Sequence, residues 1–217
     1  MLLDSYRHKG MRKALCQEIR DKGFSNEKIL KAIDKVPRHF FLDSSFTEHA
    51  YEDKPFPIGE DQTISQPYTV AVQTELLDVQ KNDKILEIGT GSGYQACILV
   101  ELGAKVFSIE LNRILYEKTK QLLAKMNYYP KLFLGDGSLG LPSFAPYDKI
   151  IVTAAAPKIP DGLMNQLKIG GRLIIPVGKG EVQKMICVIK QDNELTESSE
   201  YGSFKFVPLL GKNGKPL

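Results

Sequence analysis

Lys84-Ile85-Leu86-Glu87-Ile88-Gly89-Thr90-Gly91-Ser92-Gly93 passes from an apolar run into three alternating glycines, and residues 94–102 follow with helical character. This order predicts a buried strand, a glycine turn and a helix. Lys105-Val106-Phe107-Ser108-Ile109 predicts a second strand, with Glu110 and Leu111 at its end. Such a unit is built to hold a nucleotide. Gly89, Gly91 and Gly93 let backbone approach a ligand, and the helix N-terminus aims amides at it. Glu110 is placed to accept hydroxyl hydrogens from a ribose.

The choice of nucleotide turns on two details. The usual dinucleotide turn has glycine at its sixth place, where this chain has Tyr94, and no Lys-Ser or Lys-Thr pair follows to make a P-loop. Glu87 lies two residues before Gly89, where a strand end faces a ligand crevice. A carboxylate there repels phosphate but suits a cationic amine and a sulfonium, the groups of S-adenosyl-L-methionine. Taken alone, the glycines could equally form a plain tight turn and Glu87 a solvated strand residue. Strand, acid, glycines, helix, strand and second acid in one register favour the ligand site.

From there strand and helix alternate. Residues 131–134 predict a strand ending at Gly135-Asp136-Gly137. Further strands are expected at residues 147–153, 171–177, 184–190 and 201–210. The pattern implies an α/β fold, doubly wound, with a mainly parallel sheet and helices on both faces. Ligands bind outside the carboxyl ends of such strands, which puts Glu87, Glu110 and Asp136 on one rim. Upstream, residues 1–22 read as an amphipathic helix ended by Gly23, and Ser25 as the cap of a second helix stopped by Pro37. Residues 40–59 are irregular but too apolar for a linker, and are expected to cover the cofactor core. At 217 residues the chain is expected to be one domain, with residues 1–80 forming helices and cover and residues 81–217 the cofactor-binding core.

Composition excludes several classes. A net charge of +3 from scattered basic residues does not argue for nucleic acid, and no apolar run spans a membrane. Cys16, Cys97 and Cys187 form no CxxC pair, and His8, His39 and His49 show no metal-ligand spacing. Free thiols, no metal, a cytoplasmic location and a monomer are the expectations.

The chemistry should lie just upstream of the glycine unit. Pro67 fits the first turn of a helix running through Leu77, which makes Ser65 or Gln66 its cap. On local sequence alone, capping is a sufficient role for Ser65. However, Pro57-Ile58-Gly59 followed by Gln62-Thr63-Ile64-Ser65-Gln66-Pro67 resembles the active-site segment of protein-L-isoaspartate O-methyltransferases. The likeness continues through Val36-Pro37-Arg38, residues 85–95, Gly135-Asp136-Gly137, residues 148–157 and 170–178, and Phe206-Val207-Pro208-Leu209.

The resemblance implies a class I, Rossmann-like methyltransferase. Such an enzyme transfers a methyl group from S-adenosyl-L-methionine to the free α-carboxyl of L-isoaspartyl residues in damaged proteins and peptides, leaving S-adenosyl-L-homocysteine. The ester then closes to a succinimide without enzyme, and hydrolysis restores part of the pool to aspartate. By the same resemblance Ser65 is the active-site serine, with Thr63 and Ile64 beside cofactor and substrate. Gly89, Gly91 and Gly93 form the cofactor turn, Glu110 holds the ribose, Asp136 and Gly137 take the adenine edge, and Val207 backbone meets the substrate carboxylate. One departure is Lys205, where arginine is common; lysine lacks arginine's planar fork. The rivals are a methyltransferase for RNA or a small molecule, and a non-catalytic binding protein on the same fold. A base methyltransferase would carry an amide or carboxylate where this chain has Thr153-Ala154-Ala155-Ala156-Pro157.

Overall fold

The computed structural model describes residues 3–192 and 196–217; Met1 and Leu2, placed above in the first helix, lie outside them. Helix α1 (Tyr6–Asp21) is capped by the Ser5 side chain and buries Leu15 and Ile19, and Gly23 follows in the left-handed region. Helix α2 (Glu27–Lys35) is capped by Asn26, whose side chain accepts from the Ile29 amide; Ser25, expected as the cap, stands one residue outside. Asparagine and serine cap about equally well, so composition could not separate them.

Residues 40–59 explain their apolar excess by joining the core. Phe41, Ala50, Tyr51 and Ile58 pack into one cluster with Leu15, Ile19, Leu30 and Ile33. The stretch ends in β1 (Phe56–Gly59), which pairs antiparallel with β2 (Gln62–Ile64). Glu60 and Asp61 make the turn, both at φ 53. Helix α3 (Pro67–Leu77) starts on a proline, as expected, with Gln66 in the cap position.

The main sheet contains β3 (Lys84–Ile88), β4 (Lys105–Glu110), β5 (Lys131–Leu134), β6 (Tyr147–Val152), β7 (Leu167–Val177), β8 (Gln183–Lys190) and β9 (Thr196–Phe204). Its spatial order is β5-β4-β3-β6-β7-β8-β9, with β3 to β7 parallel and the last two strands antiparallel. Helices α4 (Tyr94–Glu101), α5 (Arg113–Lys125) and α6 (Asp161–Asn165) complete the fold. The chain runs outward from β3 to β5, then returns to β6 on the other side of β3. That reversal opens a crevice at the strands' carboxyl ends.

Strand alternation decides which side chains reach which layer. Ile85, Val106, Ile151 and Ile174 pack with Leu77 of α3 and with Ala96 and Leu99 of α4. Leu86, Ile88, Phe107, Ile109 and Ile150 face the opposite layer, with Leu163 of α6. The last expected strand differs from the observed one. β9 ends at Phe204, and Val207 to Leu209 peel away to dock on the loop after β6: Ala155 donates to Val207 O at 2.8 Å, and Leu209 donates to Ala155 O at 2.7 Å. Pro208 has no N–H for a ladder, which favours departure there. No helix among the described residues is long and apolar enough to cross a membrane.

Candidate active site

The reversal in strand order opens onto a cavity of about 590 Å³, within the usual size range for small-molecule sites. Glu110 closes one wall. It is 7% exposed, and its carboxylate is aimed by two backbone donors: Gly91 N reaches Oε2 at 2.8 Å and Asn112 N reaches Oε1 at 2.9 Å. Thr63, Ile64, Ser65, Gly89, Gly91, Leu111, Gly137 and Val207 also line this cavity.

Three expected residues stand elsewhere. Gly93 does not line the cavity. Its φ is +85, and a Cβ would lie 2.8 Å from Thr119 Cγ2 of α5, so this glycine serves helix packing. Gly89 is similar in kind although it does line the wall: φ is +92, and a Cβ would lie 2.6 Å from Thr153 Oγ1. That hydroxyl donates to Gly89 O at 2.6 Å and Ile88 O at 3.0 Å, tying the turn to the end of β6. Gly89→Ala is therefore expected to destabilise the fold by about 2–4 kcal/mol through left-handed strain and displacement of Thr153. Denaturant unfolding measures this, and a loss below about 0.5 kcal/mol would contradict it.

Glu87 is the second correction. It shares a face with Ile85, under α3 and α4, and is fully buried rather than on the rim. Oε2 accepts from Ser108 Oγ, which is itself 2.6 Å from Thr90 Oγ1, while Oε1 has no partner among the described residues. Burial, reinforced by the nearby charge of Glu110, pushes its pKa up to about 8. Glu87 is thus a neutral acid at neutral pH and offers no charge to a ligand. An unfolded glutamate ionises near ~4.3, so the folded chain holds one more proton between there and about 8. The contribution of Glu87 to stability is complete below that window, falls as pH rises through it, and is lost above. Glu87→Gln is expected to flatten the unfolding midpoint across the window, relative to the native chain. Identical pH profiles for the two would contradict the assignment.

Asp136 is the third. Its Oδ1 accepts from Ser138 N at 2.9 Å and from Ser138 Oγ, and its Oδ2 accepts from Lys212 N at 2.8 Å. The carboxylate caps the short turn Gly137–Leu139 and pins the C-terminal segment, leaving Gly137 to face the cavity.

Sequence reading missed Glu60, Asn112 and Thr153 as wall residues. Asn112 Nδ2 donates to Glu60 Oε2 at 3.0 Å, so the β1–β2 turn reaches across to the start of α5. Glu60 of this turn joins the cavity wall, while Phe41, Ala50, Tyr51 and Ile58 of residues 40–59 pack against Tyr94, Cys97 and Ile98 of α4. The signal for the turn was Gly59-Glu60-Asp61 between two β-rich stretches. Two histidines with no sequence spacing do meet: Asp4, His8 and His39 offer atoms within 4.8 Å of one another. Arg12 already grips both oxygens of Asp4, and both ring nitrogens of His39 are engaged by Tyr51 and Leu3 O. These bonds make it a structural cluster.

A second cavity of about 450 Å³ adjoins the first and includes Pro55, Tyr68, Val182 and Lys205 in its wall. Thr63, Ser65, Thr153 and Val207 belong to both. Ser65 is half-buried there, its hydroxyl bonded to nothing among the described residues. It does not cap α3. The Val207 N–H also has no partner among the described residues. Lys205 stands 72% exposed, with Nζ 3.8 Å from Glu181 Oε2, a surface pair of little energetic weight.

The family model for protein-L-isoaspartate(D-aspartate) O-methyltransferase matches residues 10–214. The chain belongs to this family. Among curated relatives named protein-L-isoaspartate O-methyltransferase, that of Christiangramia forsetii is 57% identical over 208 residues, covering 95% of this chain and 97% of its own. That of Cytophaga hutchinsonii is 54% identical over 211 residues, covering 97% and 96%. A solved protein-L-isoaspartate O-methyltransferase superposes with TM-score 0.83 at 29% identity, over 94% of this chain and 67% of its own. A Plasmodium falciparum structure described under the same enzyme name, in complex with S-adenosyl-L-homocysteine, reaches TM-score 0.81 at 21% identity over 93% and 99%. The fold is therefore the Rossmann-like one expected, and the protein-L-isoaspartate O-methyltransferase family is the one the active-site segment pointed to.

Proposed function

We propose that the two cavities receive, respectively, S-adenosyl-L-methionine and an isoaspartyl peptide, and that the reaction is carried out where they meet. The observation that carries this reading is the shared border, Thr63, Ser65, Thr153 and Val207. The first cavity suits the cofactor because its buried charged wall residue is a carboxylate, Glu110, with both oxygens fixed by amides and lone pairs left for a ribose. Leu111 and Gly137 would flank the adenine. Thr63, Ile64 and the turn at Gly89 and Gly91 would flank the remainder. When bound, S-adenosyl-L-methionine supplies an electrophilic methyl on a positively charged sulfur.

The residues at the border have little chemistry left to perform. An α-carboxyl titrates near ~3.5, so the substrate group is ionised at neutral pH and no general base is required. Strong donors would also be counterproductive. Carboxylate and sulfonium lose their charges together, and a tight grip on the carboxylate would favour the ground state over the transition state. One hydroxyl and one amide, Ser65 Oγ and Val207 N–H, are enough to aim the group. Aiming alone can contribute roughly 7–11 kcal/mol at best.

The same reading takes the chain as a single catalytic domain acting as a monomer on proteins and peptides, with neither nucleic acid nor membrane as partner. Three buried free cysteines suit a reducing cytoplasm. An isoaspartyl peptide held with the chain and excess cofactor is expected to convert in part to its aspartyl form through a succinimide, resolved by chromatography and mass. A peptide that stays wholly isoaspartyl would refute the reading.

A further inference from the structure

Two buried charges outside both cavities converge on the segment that carries Ser65. Arg38 follows α2 and is 0% exposed. Its Nη1 donates to Ala50 O at 2.5 Å, and its Nη2 donates to Lys54 O at 2.9 Å and to Ser65 O at 3.1 Å. The guanidinium lies 5.5 Å from the Phe56 ring and 5.8 Å from the Tyr94 ring. Among the described residues, no carboxylate pairs with it. Leaving a cation unpaired in a core is costly, so its three carbonyl contacts must compensate.

Asp53 approaches from the other side, its side chain 1% exposed. Oδ1 accepts from Tyr68 N at 2.7 Å, and Oδ2 accepts from Gln66 Nε2 at 2.8 Å and from Lys22. Helix α3 has no side-chain cap of its own at Gln66. Asp53 therefore supplies, from an earlier segment, the acceptor that a local serine or aspartate ordinarily gives. Ser65 O is held by a cation and the next turn by an anion, while the Ser65 hydroxyl has no partner among the described residues.

We propose that Arg38 and Asp53 are positioning residues, a clamp of opposite charges that fixes residues 65–68 so that the Ser65 hydroxyl faces the junction of the two cavities. The proposal rests on the reading of Ser65 given above for its catalytic consequence, but not for its structural one. Lysine at position 38 can keep the charge and some carbonyl contacts, yet cannot span three carbonyls with a planar fork. Asparagine at position 53 can keep one acceptor but loses the second.

Two measurements test the clamp. The first is hydrogen exchange in the intact chain: Arg38→Lys is expected to speed amide exchange in residues 65–70 by about tenfold or more while residues 84–88 keep their rates. Unchanged exchange in residues 65–70 overturns the clamp, whatever the enzyme acts on. The second is a double-mutant cycle on an isoaspartyl peptide. Arg38→Lys is expected to lower kcat about tenfold with affinity for S-adenosyl-L-homocysteine within about twofold, and to have little further effect once Ser65→Ala is present. Additive losses, or a loss matched by Leu163→Ala destabilised to the same Tm, would reduce Arg38 to a fold residue and overturn the positioning role. Should Arg38→Lys not fold, Asp53→Asn carries both measurements with the same expectations. Native enzyme inert on isoaspartyl peptide would defeat the functional reading alone, since exchange still decides the clamp.

Discussion

Glu110→Ala is expected to weaken binding of S-adenosyl-L-methionine and S-adenosyl-L-homocysteine by about 100-fold or more. Two losses combine. On the proposed reading the carboxylate would accept from ribose hydroxyls, and hydrogen bonds to a charged group contribute about 1.5–3 kcal/mol each. It also aims Gly91 N and Asn112 N, at 2.8 and 2.9 Å, and alanine would strand both amides in a wall where Glu110 is only 7% exposed. Each stranded donor costs about 1–3 kcal/mol, so stability should fall together with affinity. Glu110→Gln should not rescue fully, because its NH₂ would confront an amide donor. Calorimetric titration with S-adenosyl-L-homocysteine reads the effect. An affinity within about threefold of native would remove Glu110 from the cofactor site.

Ser65→Ala is expected to act on the other half of the reaction: kcat falls about 10–100-fold while affinity for S-adenosyl-L-homocysteine stays within about twofold. The size is a small part of the roughly 7–11 kcal/mol that aiming can contribute at best, at about 1.4 kcal/mol per tenfold. The Ser65 hydroxyl has no partner among the described residues, so alanine strands nothing and Tm should hold. This separates the catalytic role from the capping role that local sequence allowed. An unchanged kcat, or a kcat loss accompanied by an equal loss of stability, would return Ser65 to the fold.

How much of this could be read in advance depended on how local each feature is. The β3–turn–α4–β4 unit was legible because apolar runs, glycines and an acid fall within one short window, and β5 at Lys131–Leu134 was read to the residue. Glu110 was legible because it ends a strand. Glu87 was not. Period-two alternation shows that neighbours point to opposite faces, but only the packing of α3 and α4 shows that residue 87 faces a covered one. Asp136 was placed on the correct strand end, but its carboxylate turns back to cap Gly137–Leu139 by accepting from Ser138 N. The final segment misled for a different reason: residues 201–210 look strand-like throughout, yet Val207 and Leu209 pair with Ala155 instead of extending β9. The clamp of Arg38 and Asp53 was invisible, because Arg38 meets the Ser65 carbonyl 27 residues on and Asp53 meets the Tyr68 amide 15 residues on, through main-chain atoms that carry no sequence signal.

The most direct measurement presents methyl-labelled S-adenosyl-L-methionine and the chain with two peptides that differ only in an isoaspartyl or an aspartyl linkage. Base-labile label is expected on the isoaspartyl peptide and not on its twin. Label on both peptides, on RNA instead, or on nothing would contradict a site shaped to aim an isoaspartyl carboxylate at a methyl donor.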